Sequence, residues 1–213
     1  MIKAVIFDMD GVLFDTERLG MIQQLKACRE MGYPVTEALL MRTMGSSMAA
    51  ARVILLNALG QDLPYEKMIG RWTELTFEDM AQNGIPQKPG VRELLGVLNE
   101  RGIKAAVATS NNRSIVERYM EQAGLTNSFD VVVCGDSIQK SKPDPDIYLL
   151  AAEKLGVAPV DCMGVEDSVN GVKAVRAAGM KSVMVPDLIP YTSELAAYVD
   201  YCVPTLHDVI PLL

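Results

Sequence analysis

Asp8 and Asp10 stand directly behind a short apolar run, residues 2–7, with one residue between them and Gly11 next. The run reads as a strand buried on both faces, and Gly11 permits a sharp turn. An extended i, i+2 spacing points both carboxylates to one side, at the carboxyl end of the strand. That is where ligands bind in open α/β sheets. Two carboxylates so close repel, which calls for a cation, a shared proton or a catalytic task. The plainer reading is an Asx-type turn closing the strand.

More chemistry-bearing residues follow later strand-like runs: Thr109-Ser110-Asn111 behind 103–108, Lys142 in the loop after 130–134, and Glu166-Asp167 behind 162–165. Asp8, Asp167 and Glu166, with oxygens from the Asp10 backbone and water, make an all-oxygen site that suits Mg²⁺. Thr109 and the backbone N–H groups at the following helix start can hold phosphate oxygens. Lys142 supplies the positive charge a transferring phosphoryl group needs. Asp8 would then be the nucleophile that forms an aspartyl phosphate. Asp10 would protonate the leaving oxygen and afterwards take a proton from the attacking water. Singly, residues 109–111 could cap a helix, Lys142 could be a solvated loop lysine, and Glu166-Asp167-Ser168 could be a helix N-terminus. Four such groups on one sheet edge favour chemistry.

The elements that must position them come in two kinds. Residues 16–84 read as helices only: 16–31 behind Thr16, a second capped by Thr36, 49–59, and 65–81. The methionines here read mainly as packing residues. From Lys88 onward strands alternate with helices: 90–101, strand 103–108, helix 113–123, strand 130–134, helix 146–155, strand 162–165 and helix 169–178. Strands at 181–185 and 201–203 and a final helix around His207 follow. This grammar predicts an α/β Rossmann-like parallel sheet core, residues 1–15 and 85–213, with an inserted all-helical cap, residues 16–84.

The whole chain narrows the classes. Its 213 residues, 49% hydrophobic and 22% charged, can bury a substantial core. A net charge of −7 without a basic run argues against a nucleic-acid surface. Cys28, Cys134, Cys162 and Cys202 are scattered and read as buried free thiols of a reducing, cytoplasmic compartment. The lone His207 disfavours a histidine triad or a multi-histidine zinc site. No signal peptide or membrane span is expected.

Asp8-Met9-Asp10-Gly11-Val12, Thr109, Lys142-Pro143 and Gly164-Val165-Glu166-Asp167-Ser168 resemble the four motifs of the haloacid dehalogenase superfamily. The run 7–17 and the loop SKPDPDIY, residues 141–148, resemble its β-phosphoglucomutase-like phosphatase branch with a helical cap. The resemblance implies Mg²⁺, Asp8 as nucleophile, Asp10 as acid and base, and Thr109 and Lys142 on the phosphoryl group. It places the metal among Asp8, Asp10 and Asp167, with Glu166 as an additional or outer acid. Gly11, Ser110, Asn111 and, in the cap, Gly45 and Ser46 are the expected substrate contacts; Arg42, Arg52 and Ser47 are further candidates. True mutases of this branch carry a histidine where this chain has Gly20, and a lysine and an arginine where it has Met44 and Met48. The expected activity is therefore Mg²⁺-dependent hydrolysis of a small phosphorylated metabolite, most plausibly a sugar phosphate, by a monomer. A β-phosphoglucomutase-type mutase is the alternative. A silent binder is disfavoured by the intact set of polar residues.

Overall fold

The structure is a computed structural model that describes residues 1–44 and 48–213, with the Met48 side chain left aside. Gly45, Ser46 and Ser47 lie outside the described residues. The chain forms two compact units, Met1–Asp15 with Pro86–Leu213, and Thr16–Ile85.

In the first unit the described residues form a six-stranded sheet. Its strands are β1 (Ala4–Phe7), β2 (Lys104–Ala108), β3 (Val131–Val133), β4 (Cys162–Glu166), β5 (Lys181–Met184) and β6 (Tyr201–Cys202), in spatial order β3-β2-β1-β4-β5-β6. All pairings are parallel, with Phe7 level with Val107 on one side and with Val165 on the other. The helices are α5 (Val91–Glu100), α6 (Arg113–Ala123), α7 (Asp146–Leu155) and α8 (Val169–Ala177). The second unit holds α1 (Thr16–Glu30), α2 (Glu37–Met41), α3 (Met48–Leu59) and α4 (Tyr65–Asn83).

β1 is apolar at every position because both faces are covered. Ala4, Val5, Ile6 and Phe7 are each at most 1% exposed. Ala4 and Ile6 join Ala106, Ala108 and Val133 beneath Ile147, Tyr148 and Ala151 of α7 and Val175 of α8. Phe7, on the opposite face, meets the edge of the Phe129 ring, centroids 6.1 Å apart. Each large side chain so buried contributes roughly 1.5–3 kcal/mol. The chain runs outward from β1 through β2 to β3, then returns to lay β4 on the other side of β1. The gap between the carboxyl ends of β1 and β4 is thus a topological switch point, where open sheets bind ligands.

Asp8–Asp15 turns tightly away from β1: Gly11 N–H donates to Phe14 O at 2.8 Å, and Phe14 N–H to Met9 O at 3.1 Å. Gly11 has φ +74°, a conformation that suits glycine. The outgoing and returning strands then pair, with Asp15 N–H donating to Pro86 O and Lys88 N–H to Leu13 O, both at 2.9 Å. The Lys88 ammonium adds ionic contacts to Asp187, 2.8 Å, and Asp15, 3.6 Å.

The helical unit has its own core, including Cys28, Leu40, Leu55, Leu63, Tyr65 and Met68. Thr36 caps α2 by accepting from Leu39 N–H. Met68 and Met80 are buried packing residues, whereas Met41 is exposed. Arg52, a candidate substrate contact, is engaged inside this unit: it pairs with Glu66 at 2.7 Å and lies over the Tyr65 ring.

Three local expectations need correction. The final helix is a 3₁₀ turn, Leu206–Leu212, with Pro211 inside it, where the proline ring cannot donate to an α-helical ladder. Cys202 is exposed because β6 is an edge strand; Cys28, Cys134 and Cys162 are buried and free. The helix expected over 90–101 begins at Val91, because Gly90 takes φ +92° and fits closely against the backbone of His207.

Candidate active site

The carboxyl edge of the sheet gathers the residues singled out by the sequence. Asp8 follows β1 directly, Thr109 follows β2, and Glu166 is the last residue of β4 with Asp167 behind it. Lys142 comes from the loop between β3 and α7. Backbone bonds fix these origins: Asp8 N–H donates to Val165 O at 2.9 Å, and Thr109 N–H to Val133 O at 3.1 Å.

Lys142 is the centre of the cluster, and it is no solvated loop lysine: its side chain is 8% exposed. Its ammonium uses its three donors on Asp8 Oδ1, 2.6 Å, Glu166 Oε1, 2.6 Å, and the Ala108 carbonyl, 3.1 Å. Tyr148, wholly buried on α7, donates its hydroxyl to the same Glu166 oxygen at 2.7 Å and lies with its ring 5.1 Å from the ammonium. The other Glu166 oxygen accepts from Asp167 N–H, Ser168 N–H and Ser168 Oγ at 3.2, 3.3 and 3.0 Å. Ser168 also caps α8 by accepting from Gly171 N–H. A Cβ on Gly171 would overlap the Glu166 carboxylate, so glycine on α8 makes the room for it. A Cβ on Gly11 would likewise overlap the Asp167 carboxylate, so Gly11, an expected substrate contact, lies against Asp167.

A second group forms beside the first. Asn111 Nδ2 donates to Asp10 Oδ2 at 2.6 Å, and Asn111 N–H donates to Thr109 Oγ1 at 3.2 Å. Thr109 is 1% exposed; Ser110 is exposed. None of residues 109–111 caps α6. Asn112 does, accepting from Ile115 N–H.

Burial, opposed by Lys142 and reinforced by Glu166 and Asp10, pushes the Asp8 carboxyl up to about 8. Burial also works against the charge on Lys142, but Asp8 and Glu166 outweigh it, and the ammonium titrates above the ordinary lysine range. Burial, with Glu166 and Asp8 adding to it, holds the Tyr148 phenol well above its usual range.

Asp8, Glu166 and Asp167 offer carboxylate oxygens within 4.8 Å of one another. Three carboxyl groups beside one ammonium make an all-oxygen set, which fits a hard cation such as Mg²⁺. Both Glu166 oxygens already accept hydrogen bonds, so a metal bond there would displace a donor.

A consequence for stability follows from Asp8. An unfolded aspartate titrates near about 4. The proton held by the folded state therefore stabilises fully below that pH, and its contribution is lost as pH rises through about 8. Protein freed of divalent cations should melt at a lower temperature at about pH 8.5 than at about pH 5.5, and Asp8→Asn should remove most of that difference. Melting curves of the two proteins in chelator check this; equal pH dependence in both would contradict it.

Sequence reasoning gave no role to Tyr148 or to Gly171. Tyr148 ends the SKPDPDIY run, where a phenol on an otherwise apolar helix face signals a buried polar partner. Gly171, three residues beyond Ser168, sits inside a helix where glycine is otherwise unfavourable.

Comparison with known proteins finds similar sequences and a similar fold. A family model described as haloacid dehalogenase-like hydrolase matches residues 5–185. The phosphorylated carbohydrates phosphatase of Thermotoga maritima is 38% identical over 185 residues, 85% of this chain and 83% of the relative. Hexitol phosphatase B of Escherichia coli strain K12 is 34% identical over 193 residues, 87% of this chain and 84% of the relative. Among solved structures, CbbY of Rhodobacter sphaeroides in complex with phosphate has a TM-score of 0.78 at 27% identity, covering 98% of this chain and 96% of that one.

Proposed function

The chain belongs to the haloacid dehalogenase-like hydrolase family, and from that premise we propose that it is a Mg²⁺-dependent phosphatase of small phosphorylated carbohydrates that works through an aspartyl phosphate. The observation that carries this reading is the Asp8 carboxylate at the sheet's switch point, held 2.6 Å from the buried Lys142 ammonium. A lysine that fixes a carboxylate and can also face phosphoryl oxygens suits attack on phosphorus.

In the first step an Asp8 oxygen bonds to phosphorus, the bond from phosphorus to the carbohydrate oxygen breaks, and Asp10 gives that oxygen its proton. In the second, water oxygen bonds to phosphorus, the Asp8–phosphorus bond breaks, and the water's proton goes to Asp10. Lys142, kept in place by Glu166 and the Ala108 carbonyl, offsets charge on the phosphoryl oxygens, and Thr109 would hold those oxygens as well. Asp8, Asp167 and the Asp10 backbone oxygen would hold Mg²⁺, with Glu166 beside them, and the ion would supply further charge compensation. Selection of the organic part of the ester would fall to the helical unit. Phosphatase relatives favour release to water over return to a second hydroxyl. A monomer in the cytoplasm is the expected setting; no described helix is long and apolar enough to cross a membrane.

The test is phosphate release from a panel of hexose and hexitol phosphates and p-nitrophenyl phosphate, with Mg²⁺ and with chelator. Release that needs Mg²⁺ and favours carbohydrate esters is expected. Absence of release from every ester, with interconversion of glucose phosphates when a bisphosphate is added, would overturn hydrolysis in favour of the mutase.

A further inference from the structure

We infer that Asn111 is a positioning residue for Asp10 and not a contact to the substrate, an inference that rests on the phosphatase reading above. Two consecutive asparagines follow β2, and either could cap α6 by residue type. The structure divides the work between them. Asn112 takes the cap: its Oδ1 accepts from Ile115 N–H and Ser114 Oγ at 3.2 and 2.8 Å. The Asn111 side chain is thereby left for another partner, and its amide donates to Asp10 Oδ2 at 2.6 Å, across 101 residues of sequence. The amide nitrogen must face Asp10, since its oxygen would meet a carboxylate with like partial charge.

The backbone of Asn111 is fixed at both of its polar groups. Its N–H donates to Thr109 Oγ1 at 3.2 Å, and its carbonyl accepts from Gly135 N–H at 2.8 Å. Gly135 can approach so closely because it carries no Cβ; one would overlap the Ser110 carbonyl. The loop after β3 thus clamps the loop after β2, and the clamp aims the Asn111 amide at the turn that carries Asp10. A group that must give a proton to the leaving oxygen and then take one from water has to point at one place in both steps. Asn111 restricts the Asp10 carboxyl in that way, on a scaffold whose own geometry is set by two other loops.

The proposal separates from substrate binding by kinetics. Protonation of the leaving oxygen matters for a carbohydrate ester and little for p-nitrophenyl phosphate, whose leaving group is stable as an anion. Asn111→Ala should lower kcat/KM, which reads the transfer to Asp8, by about tenfold or more for a hexitol phosphate and by less than about threefold for p-nitrophenyl phosphate, and should lower kcat on both where the attack of water, which Asp10 also serves, limits turnover. Asn111→Asp, equal in shape but without the donor and with a repelling charge, should be slower still on the hexitol ester. Asp10→Asn combined with Asn111→Ala should be no slower than Asp10→Asn alone, because both act through one carboxyl. Raised KM on both esters with kcat kept, or effects of the two substitutions that multiply, would overturn the inference while the phosphatase reading stands. Wild-type protein inactive on both esters would sink that reading and the inference with it.

Discussion

Asp8→Asn is expected to lose turnover by roughly four orders of magnitude or more on every ester, because an amide oxygen does not form the covalent phosphoryl intermediate. The fold should survive. Asn keeps the shape of the side chain, its Oδ1 can still accept from Lys142, and the backbone bond from residue 8 to Val165 is untouched. Removing a buried carboxyl that is held up to about 8 should even stabilise the chelated protein at alkaline pH, where the wild type carries an unfavourable charge. Lost activity together with equal or higher melting temperature is a combination that general damage to the core does not produce. Rapid acid quench of wild type with labelled p-nitrophenyl phosphate should trap phosphate on the protein, and Asp8→Asn should trap none. A variant that turns over at more than about a hundredth of the wild-type rate would remove Asp8 from the nucleophile's role.

Much of this site can be read from local sequence, and the reason is the parallel sheet. Residues 4–7 are apolar on both faces, so the strand could be placed, and a strand end followed by Asp-x-Asp-Gly has few other uses. The same holds for Glu166-Asp167, which follow a buried run. What local sequence does not carry is the partner of each group. Lys142 looks like any loop lysine until Asp8, 134 residues away, and Glu166 are brought to it. Asn111 and Asn112 have the same capping propensity, and the choice between them is made by Gly135, in another loop. Tyr148 is equally silent, because a phenol on an apolar helix face packs like phenylalanine until its hydroxyl finds a carboxylate. The ionic contacts of Lys88 with Asp187 and Asp15 depend on where two chain crossings meet a loop that follows β5. The final helix misled for a different reason: its apolar spacing was adequate, but Pro211 and its short length leave only 3₁₀ bonding.

Lys142→Met tests the electrostatics of the site instead of its nucleophile. Methionine keeps most of the aliphatic volume and removes the ammonium. Asp8 and Glu166, 13% and 1% exposed, then face one another with Asp167 nearby and no counter-charge. Breaking one side of a buried ion pair costs about 3–5 kcal/mol, chiefly because the remaining charge stays buried. The sign of the pH dependence follows. Without Lys142 the Asp8 carboxyl loses its main stabilising neighbour and moves further up from about 8, so the folded state keeps its proton over a wider range. The destabilisation should therefore be present already at about pH 5, where buried Glu166 has lost its cation, and grow as pH rises past neutrality and Asp8 ionises, and urea unfolding in chelator at the two ends of that range measures it. Activity should fall by about a thousandfold at any pH, since the charge on the transferring phosphoryl group has lost its fixed cation. The two losses can be separated. Glu166→Gln added to Lys142→Met removes the second buried charge, so stability should return in large part while turnover stays low. If the double variant recovered both, Lys142 would serve only to hold the fold. If it recovered neither, Glu166 would carry a function beyond anchoring that lysine. Recovery of stability alone is the outcome the geometry requires, because Glu166 is bound on one oxygen by Lys142 and Tyr148 and on the other by the start of α8, and needs no ammonium to stay where it is.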